Sequence, residues 1–259
     1  MFSKKDLRLL YELDSHYRQP YSQIGKKLRM SQQLISHKVK QFHKKGIITG
    51  HCPLIDYSRF GLLTFIVFFK VHYHNEASFA KLIEQMKTQE HITGIIECDG
   101  KYDLAVIFAA KNPSSFNKKL KSFVSENPAL RDWTILTTVV EHWYPRNYLV
   151  GKEGTHDVII GGDREELSVD ELDKKIIAAL TEGKKRVVEI SQATGTTPKT
   201  VLARLKNLEK KQIIRGYRLV LNPRALGIAT NVLLIKYRNI TGEREEEFRS
   251  FCKYNPHIV

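Results

Sequence analysis

Thr197–Gly227 reads TPKTVLARLKNLEKKQIIRGYRLVLNPRALG. Thr197 is placed to cap a helix, and Pro198 falls at the first helical position, where a missing N–H costs nothing. Val201, Leu205 and Leu208 recur at helical spacing and give the helix one apolar face. The helix is expected to end near Lys211. IIRGYRLVLN then reads as a strand, a tight turn at Gly216 and a second strand. Upstream, Leu172, Ile176, Ile177 and Leu180 predict another helix, with Ser168 as its N-cap and Glu171 three residues on. A shorter helix near Val188–Thr194, with Ile190 and Ala193 inward, turns at Gly195-Thr196. Three helices followed by a strand hairpin make a winged helix-turn-helix.

The chain contains this unit twice. Ser31–Gly61, SQQLISHKVKQFHKKGIITGHCPLIDYSRFG, aligns with Thr197–Gly227 without a gap. Ile35 matches Val201, Val39 matches Leu205, Phe42 matches Leu208, and Ile47-Ile48 match Ile213-Ile214. Gly50 matches Gly216, and Gly61 matches Gly227. The match runs on through non-helical sequence, which two unrelated amphipathic helices would not do. In the first copy Leu7, Leu10 and Leu13 mark helix one. Ser22 is the expected cap of a helix carrying Ile24 and Leu28, Ser31 caps helix three, and ITGHCPLID is the wing.

Between the copies the pattern changes. Leu63–Tyr73 predicts a strand and Ser78–Thr88 a helix. Ile92–Glu97 and Tyr102–Ala109 predict strands joined by CDGK. A helix opens at Asn112-Pro113, and Trp133–Trp143 is a last strand. This β-α-β-β-α-β order is ferredoxin-like. The expected fold class is therefore α+β, with winged helix-turn-helix domains on either side of a ferredoxin-like domain. The expected divisions are 1–61, 62–146, a Gly-rich linker at 147–167, 168–227, and an incomplete second sheet domain at 228–259. In that last piece Ile228–Tyr237 reads as a first strand and Glu245–Tyr254 as a first helix.

The 259 residues carry 42 Lys and Arg against 28 Asp and Glu, a formal charge of +14. Residues 1–61 hold 12 basic and 4 acidic side chains (+8), 173–227 hold 13 and 4 (+9), and 62–167 hold 12 and 14 (−2). The positive charge thus belongs to the winged units, which points to double-stranded DNA as partner, because phosphate attraction supplies much of such affinity. No apolar run reaches the ~20 residues of a membrane helix. The N-terminus lacks the apolar core and small-residue cleavage site of a secretory signal. Cys52, Cys98 and Cys252 match no zinc or redox spacing. The expectation is a cytoplasmic protein with no membrane partner and no cofactor or metal.

A recognition helix buries one face and offers the other to the major groove. The expected contact set in the first copy is Gln32, Gln33, Ser36, His37 and Lys40. In the second it is Pro198, Lys199, Thr200, Ala203 and Lys206, with Lys199 and Thr200 as base readers. Lys38 and Arg204, at matching positions beside the core face, are expected on phosphates. His51, Arg215 and Arg218 in the wings are expected along a phosphate strand or the minor groove. The exposed sets differ almost throughout, so the two helices should prefer different half-sites.

The chain resembles the Lrp/AsnC (leucine-responsive, feast/famine) transcriptional regulators. ELDKKIIAAL, Thr200-Val201, Arg204, Leu208, Ile213-Ile214 and Leu226-Gly227 hold the places of the family pattern. The first copy departs from it at Leu34 and Lys38. CDGKYDLAVIF resembles the family's Gly-x-x-Asp turn. The resemblance implies dimerisation through back-to-back sheets, as a homo-oligomer or as a pseudo-dimer within one chain. It also implies a small-molecule effector such as an amino acid near Gly100, Tyr102 and Asp103, with Asp103 receiving an α-amino group. An ordinary hairpin turn would account for the same three residues.

Two other readings stay open in the sequence. Sirohaem decarboxylases resemble this family in fold, some as tandem fusions, and need histidines and basic residues around a tetrapyrrole. His142, Trp143, Tyr144 and Arg146 would serve there, but the concentrated charge would go unexplained. No paired carboxylates, metal-ligand spacing or nucleophile arrangement appears elsewhere. Winged units also dock proteins or RNA.

Overall fold

The computed structural model describes residues 2–15, 18–73, 75–151, 154 and 156–259. Two compact units emerge. One holds residues 1–55, 142–159 and 169–259; the other holds 56–141 and 160–168.

The first unit contains both helical heads. Head one is α1 (Lys4–Ser15), α2 (Tyr21–Leu28) and α3 (Gln32–Lys44), followed by β1 (Ile48–Ile55). Leu9, Leu10, Leu13, Ile24, Ile35 and Phe42 converge in its core. Ser31 caps α3 by accepting from the Leu34 amide at 3.1 Å. No side chain caps α2: Pro20 precedes it, so Ser22 lies inside the helix rather than at its cap.

The second unit holds β2 (Leu63–Val71), α4 (Glu76–Lys87), β3 (Ile92–Glu97), β4 (Leu104–Ala110), α5 (Pro113–Glu126) and β5 (Leu130–Thr137). The antiparallel sheet has the order β3-β4-β2-β5. Alternate residues of β2 and β4, among them Phe65, Val67, Phe69, Val106 and Phe108, pack with Leu82, Met86, Phe116 and Leu120 of the two helices. This is the ferredoxin-like arrangement, and the whole chain is α+β. The expected last strand divides: β5 ends at Thr137, and β6 (Val140–Trp143) and β7 (Val158–Gly161) follow near the boundary of the units. Lys152, Glu153 and Thr155 of the expected linker lie outside the described residues.

Head two is α6 (Glu171–Thr181), α7 (Val187–Thr194) and α8 (Pro198–Lys210), followed by β8 (Ile214–Leu221). Ile176, Leu180, Ile190, Val201, Leu205 and Leu208 are buried. The cap of α6 is Asp170, which accepts from the Asp173 amide at 2.8 Å, and not Ser168. Thr197 caps α8 as its sequence implies. Gly195 ends α7 at φ +65°. Its counterpart in head one, Arg29, adopts φ +54°, so the duplication preserves a left-handed turn even where a side chain makes it costly.

Neither wing is the expected hairpin. Each copy supplies one eight-residue strand, and β1 and β8 pair with each other, antiparallel. Residues 48–55 and 214–221 are the equivalent segments of the duplication, and Ile48 pairs with Leu221 while Ile55 pairs with Ile214. Gly50 faces Val220, and Leu54 faces Gly216. The register is therefore its own image under exchange of the copies, which is an internal pseudo-two-fold axis. Gly216 lies within the strand and makes no turn.

A buried charge cluster closes this joint. Asp14, at the end of α1, is 3% exposed. It accepts from Arg146 Nη1 at 2.6 Å, from Arg218 Nη2 at 3.0 Å and from the Leu219 amide at 2.9 Å. Arg218 Nη1 also donates to the Tyr144 carbonyl at 3.0 Å. Arg218 pairs across the ribbon with Cys52, its own counterpart in the duplication, so the cluster breaks the pseudo-symmetry.

Residues 228–237 do not form the expected strand. Val232, Leu233, Leu234 and Ile235 stand exposed, Leu233 at 79%. The helix of this piece does form, as α9 (Gly242–Tyr254). It starts fifteen residues after Gly227, as α4 starts fifteen after Gly61. A helix satisfies its own backbone groups, whereas a strand needs a neighbour. Expected pairing of two sheet domains within the chain is thus replaced, among the described residues, by pairing of the two wing strands.

Candidate nucleic-acid interface

Each recognition helix buries one face on its own head. In α3, Ile35 and Phe42 are buried, while Gln32, Gln33, His37 and Lys40 are exposed and Ser36 is half-buried. In α8, Val201, Leu205 and Leu208 are buried, while Pro198, Lys199, Ala203 and Lys206 are exposed and Thr200 is half-buried. Local side-chain contacts lie at the N-terminal turn of α8 and midway along α3. Thr200 Oγ1 lies 2.9 Å from Thr197 Oγ1, and His37 Nε2 lies 3.0 Å from Gln41 Nε2.

Lys38 and Arg204 are committed elsewhere. Lys38 Nζ lies 2.5 Å from Asp6 Oδ1, and Arg204 Nη1 lies 2.6 Å from Asp170 Oδ2 and 3.4 Å from Asp173 Oδ1. In both heads the cation ties the recognition helix to the start of its first helix. Each cation thus acts as a strut inside its own head. Burial alone would raise the Asp6 carboxyl, but the bonds from Lys38 and Ser3 outweigh it and hold it below the usual carboxylate value. A depressed folded pKa gives stability above the unfolded pKa that is lost as pH falls through the folded one. The stability lost in Asp6→Asn should therefore be full near neutrality and vanish in acid. Urea unfolding followed by circular dichroism across the acid range checks this; a pH-independent difference would contradict it.

The wing residues are less exposed than the helix residues. Arg218 is 7% exposed and engaged by Asp14, so it cannot reach a duplex. Arg215 is half-buried and bonded to Gln212. His51 is half-buried; burial first, then the Lys185 ammonium, holds its imidazole below the ordinary value, so it is neutral at neutral pH. Exposed cations that sequence reasoning did not single out flank the helices: Lys26, Arg29, Lys44 and Lys45 on head one, Lys210 and Lys211 on head two. Basic side chains just outside the helix pattern were the available signal.

In the sheet unit, Gly100 sits at φ +136°, in the turn before β4. Asp103 accepts from Lys70 Nζ at 2.8 Å and from the Val71 amide at 2.7 Å. Both carboxylate oxygens thus have partners within the unit. Tyr102 Oη lies 2.7 Å from Thr134 Oγ1 and borders an open depression of about 700 Å³ with Lys70 and Trp133. The cluster His142, Trp143, Tyr144 and Arg146 serves the joint between the heads: Arg146 binds Asp14 and the Leu219 carbonyl, and Tyr144 offers its carbonyl to Arg218. His142 stacks on Tyr144 at 5.9 Å and lies 3.6 Å from Asp157. No helix among the described residues is long and apolar enough to cross a membrane.

Residues 2–49 and 169–215 match the model of a winged helix-turn-helix DNA-binding family. The HTH-type transcriptional regulator Ptr1 of Methanocaldococcus jannaschii is 27% identical over 120 residues, 46% of this chain and 80% of the relative. The HTH-type transcriptional regulator FL11 of Pyrococcus furiosus is 39% identical over 95 residues, 35% of this chain and 60% of the relative. Among solved structures, the siroheme decarboxylase NirDL superposes with a TM-score of 0.51 at 13% identity, over 83% of this chain and 64% of that one. At that identity the likeness concerns the fold alone.

Proposed function

We propose that this chain is a helix-turn-helix transcriptional regulator of the Lrp/AsnC type and that it grips a duplex with two unlike recognition helices borne on one joint. The observation that carries this is the pairing of β1 with β8. It relates α3 and α8 by a pseudo-two-fold axis inside one polypeptide, in the manner that dimeric regulators use two subunits. The function is transcriptional regulation and not catalysis. In this reading Gln32, Gln33, Ser36 and His37 meet base edges in one half-site, and Lys199, Thr200 and Ala203 in the other. Lys40 and Lys206 hold phosphates.

The domain division follows the duplication: heads at 1–61 and 168–227, a sheet domain at 62–146, a linker at 147–167, and the start of a second sheet domain at 228–259. A small effector such as an amino acid would sit near Gly100, Tyr102 and Asp103. Asp103 would receive the ligand's α-amino group in exchange for its bond to Lys70. Back-to-back packing of sheet domains remains the proposed route to an oligomer.

Contacts of two kinds predict two kinds of loss. The double variant Lys199→Ala, Thr200→Ala should bind selected and random duplexes with nearly equal affinity, a loss of discrimination of about 1–3 kcal/mol per base contact. Lys206→Ala should weaken all duplexes alike. Fluorescence anisotropy on a selected and a scrambled duplex reads both. Uniform weakening by the first variant would sink the assignment of base readers.

A further inference from the structure

We propose that the joint between the heads is a binding site for a small aromatic carboxylate, independent of the effector turn in the sheet unit. A cavity of about 520 Å³ lies wholly inside the first unit. That volume suits a compact organic ligand. Its walls come from α1, α2 and β1 of head one, from Trp143, Tyr144, Pro145, His156 and Val158, and from α8 with β8. Four aromatic rings, those of Tyr11, Trp143, Tyr144 and Tyr217, line it, and such faces stack well on a planar ligand.

The charge is one-sided. Among the described residues Arg18, Lys27, Arg215 and Arg218 line the cavity with Asp14 and Glu209, and Lys27 pairs with Glu12 at 2.6 Å. Both carboxylates are already covered. Asp14 is held by Arg146 and Arg218, and Glu209 accepts from Arg18 at 3.1 Å and from the Tyr217 hydroxyl at 2.9 Å. An entering anion therefore meets a net positive wall. Arg18 and Lys27 reach solvent, with side chains 30% and 55% exposed, and so stand where a carboxylate would remain part-hydrated.

Gly216 gives the site a means of control. Its backbone is not left-handed, and a Cβ there would meet Leu54 Cδ1 at 3.8 Å and Val158 Cγ2 at 3.9 Å, ordinary contacts. Valine is thus tolerated by the strand while its methyl groups occupy cavity space.

Isothermal titration calorimetry of the whole chain with indole-3-acetate tests the proposal, with indole-3-acetamide and cyclohexaneacetate as the uncharged and the non-aromatic comparison. The expected result is one site per chain, with indole-3-acetate at least tenfold tighter than either comparison. Gly216→Val should weaken indole-3-acetate at least tenfold. Arg18→Gln, at the rim, should bring the acetate down to the affinity of the amide and leave the amide unchanged; this arm holds even if the valine variant folds poorly. No binding at millimolar concentration, equal binding of acetate and amide, or wild-type affinity in Arg18→Gln would overturn the proposal. None of these readouts involves DNA, so they stand apart from the duplex-binding function.

Discussion

Raising the salt from about 50 to 200 mM is expected to lower duplex affinity roughly 10³–10⁵-fold, the loss that goes with about six to ten phosphate contacts. Each neutralised phosphate releases condensed counterions, and added salt opposes that release. The chain has the cations for this number. Lys40, Lys44 and Lys45 are exposed on head one, and Lys206, Lys210 and Lys211 on head two. The near-neutral sheet region, at −2 over residues 62–167, adds nothing to the effect. Two heads tied in one unit should show the slope of both together. A plot of log affinity against log salt reads it directly. A slope equal to one or two phosphates would mean that only one head, or neither, lies on the duplex.

The second large effect is structural. Asp14→Ala should destabilise the chain by about 3–5 kcal/mol, because it leaves buried charges without their partner. Arg218 and Arg146 would both lose their carboxylate, and the Leu219 amide its acceptor. Replacing Asp14 and Arg218 together with apolar residues of similar size should cost less than Asp14→Ala alone, since only Arg146, which keeps the Leu219 carbonyl, is then without its carboxylate. Urea unfolding gives both numbers. A loss under about 1 kcal/mol for Asp14→Ala would show that water reaches and repays the two guanidiniums.

Much of the fold was legible in the sequence, for reasons that are local. Val201, Leu205 and Leu208 fix a helix face by spacing alone, and Thr197-Pro198 fixes its start. The nearly continuous apolar run of Leu63–Val71 and the two helices after it fix the sheet domain. What could not be read was the partner of a strand. ITGHCPLI and IRGYRLVL each carry strand character, but nothing within either says that it pairs with the other rather than folding back. The roles of charged residues failed for the same reason. Arg218 on a basic wing reads as a DNA contact until its neighbour Asp14, 204 positions away, is known. Lys38 and Arg204 look alike in the duplication, and each pairs with a carboxylate at the start of the first helix of its own head. The recognition-helix residues needed only the helix period, and their exposure follows it, with Ser36 and Thr200 half-buried at the edge.

Selection of duplexes from a random pool by the intact chain, followed by sequencing, probes the two-headed grip most directly. The expected outcome is a pair of dissimilar half-sites held at one fixed separation, with the half-site lost in Lys199→Ala, Thr200→Ala differing from the half-site lost in Gln32→Ala, Gln33→Ala. Recovery of a perfect palindrome, of a lone half-site, or of no preferred sequence at all would contradict it.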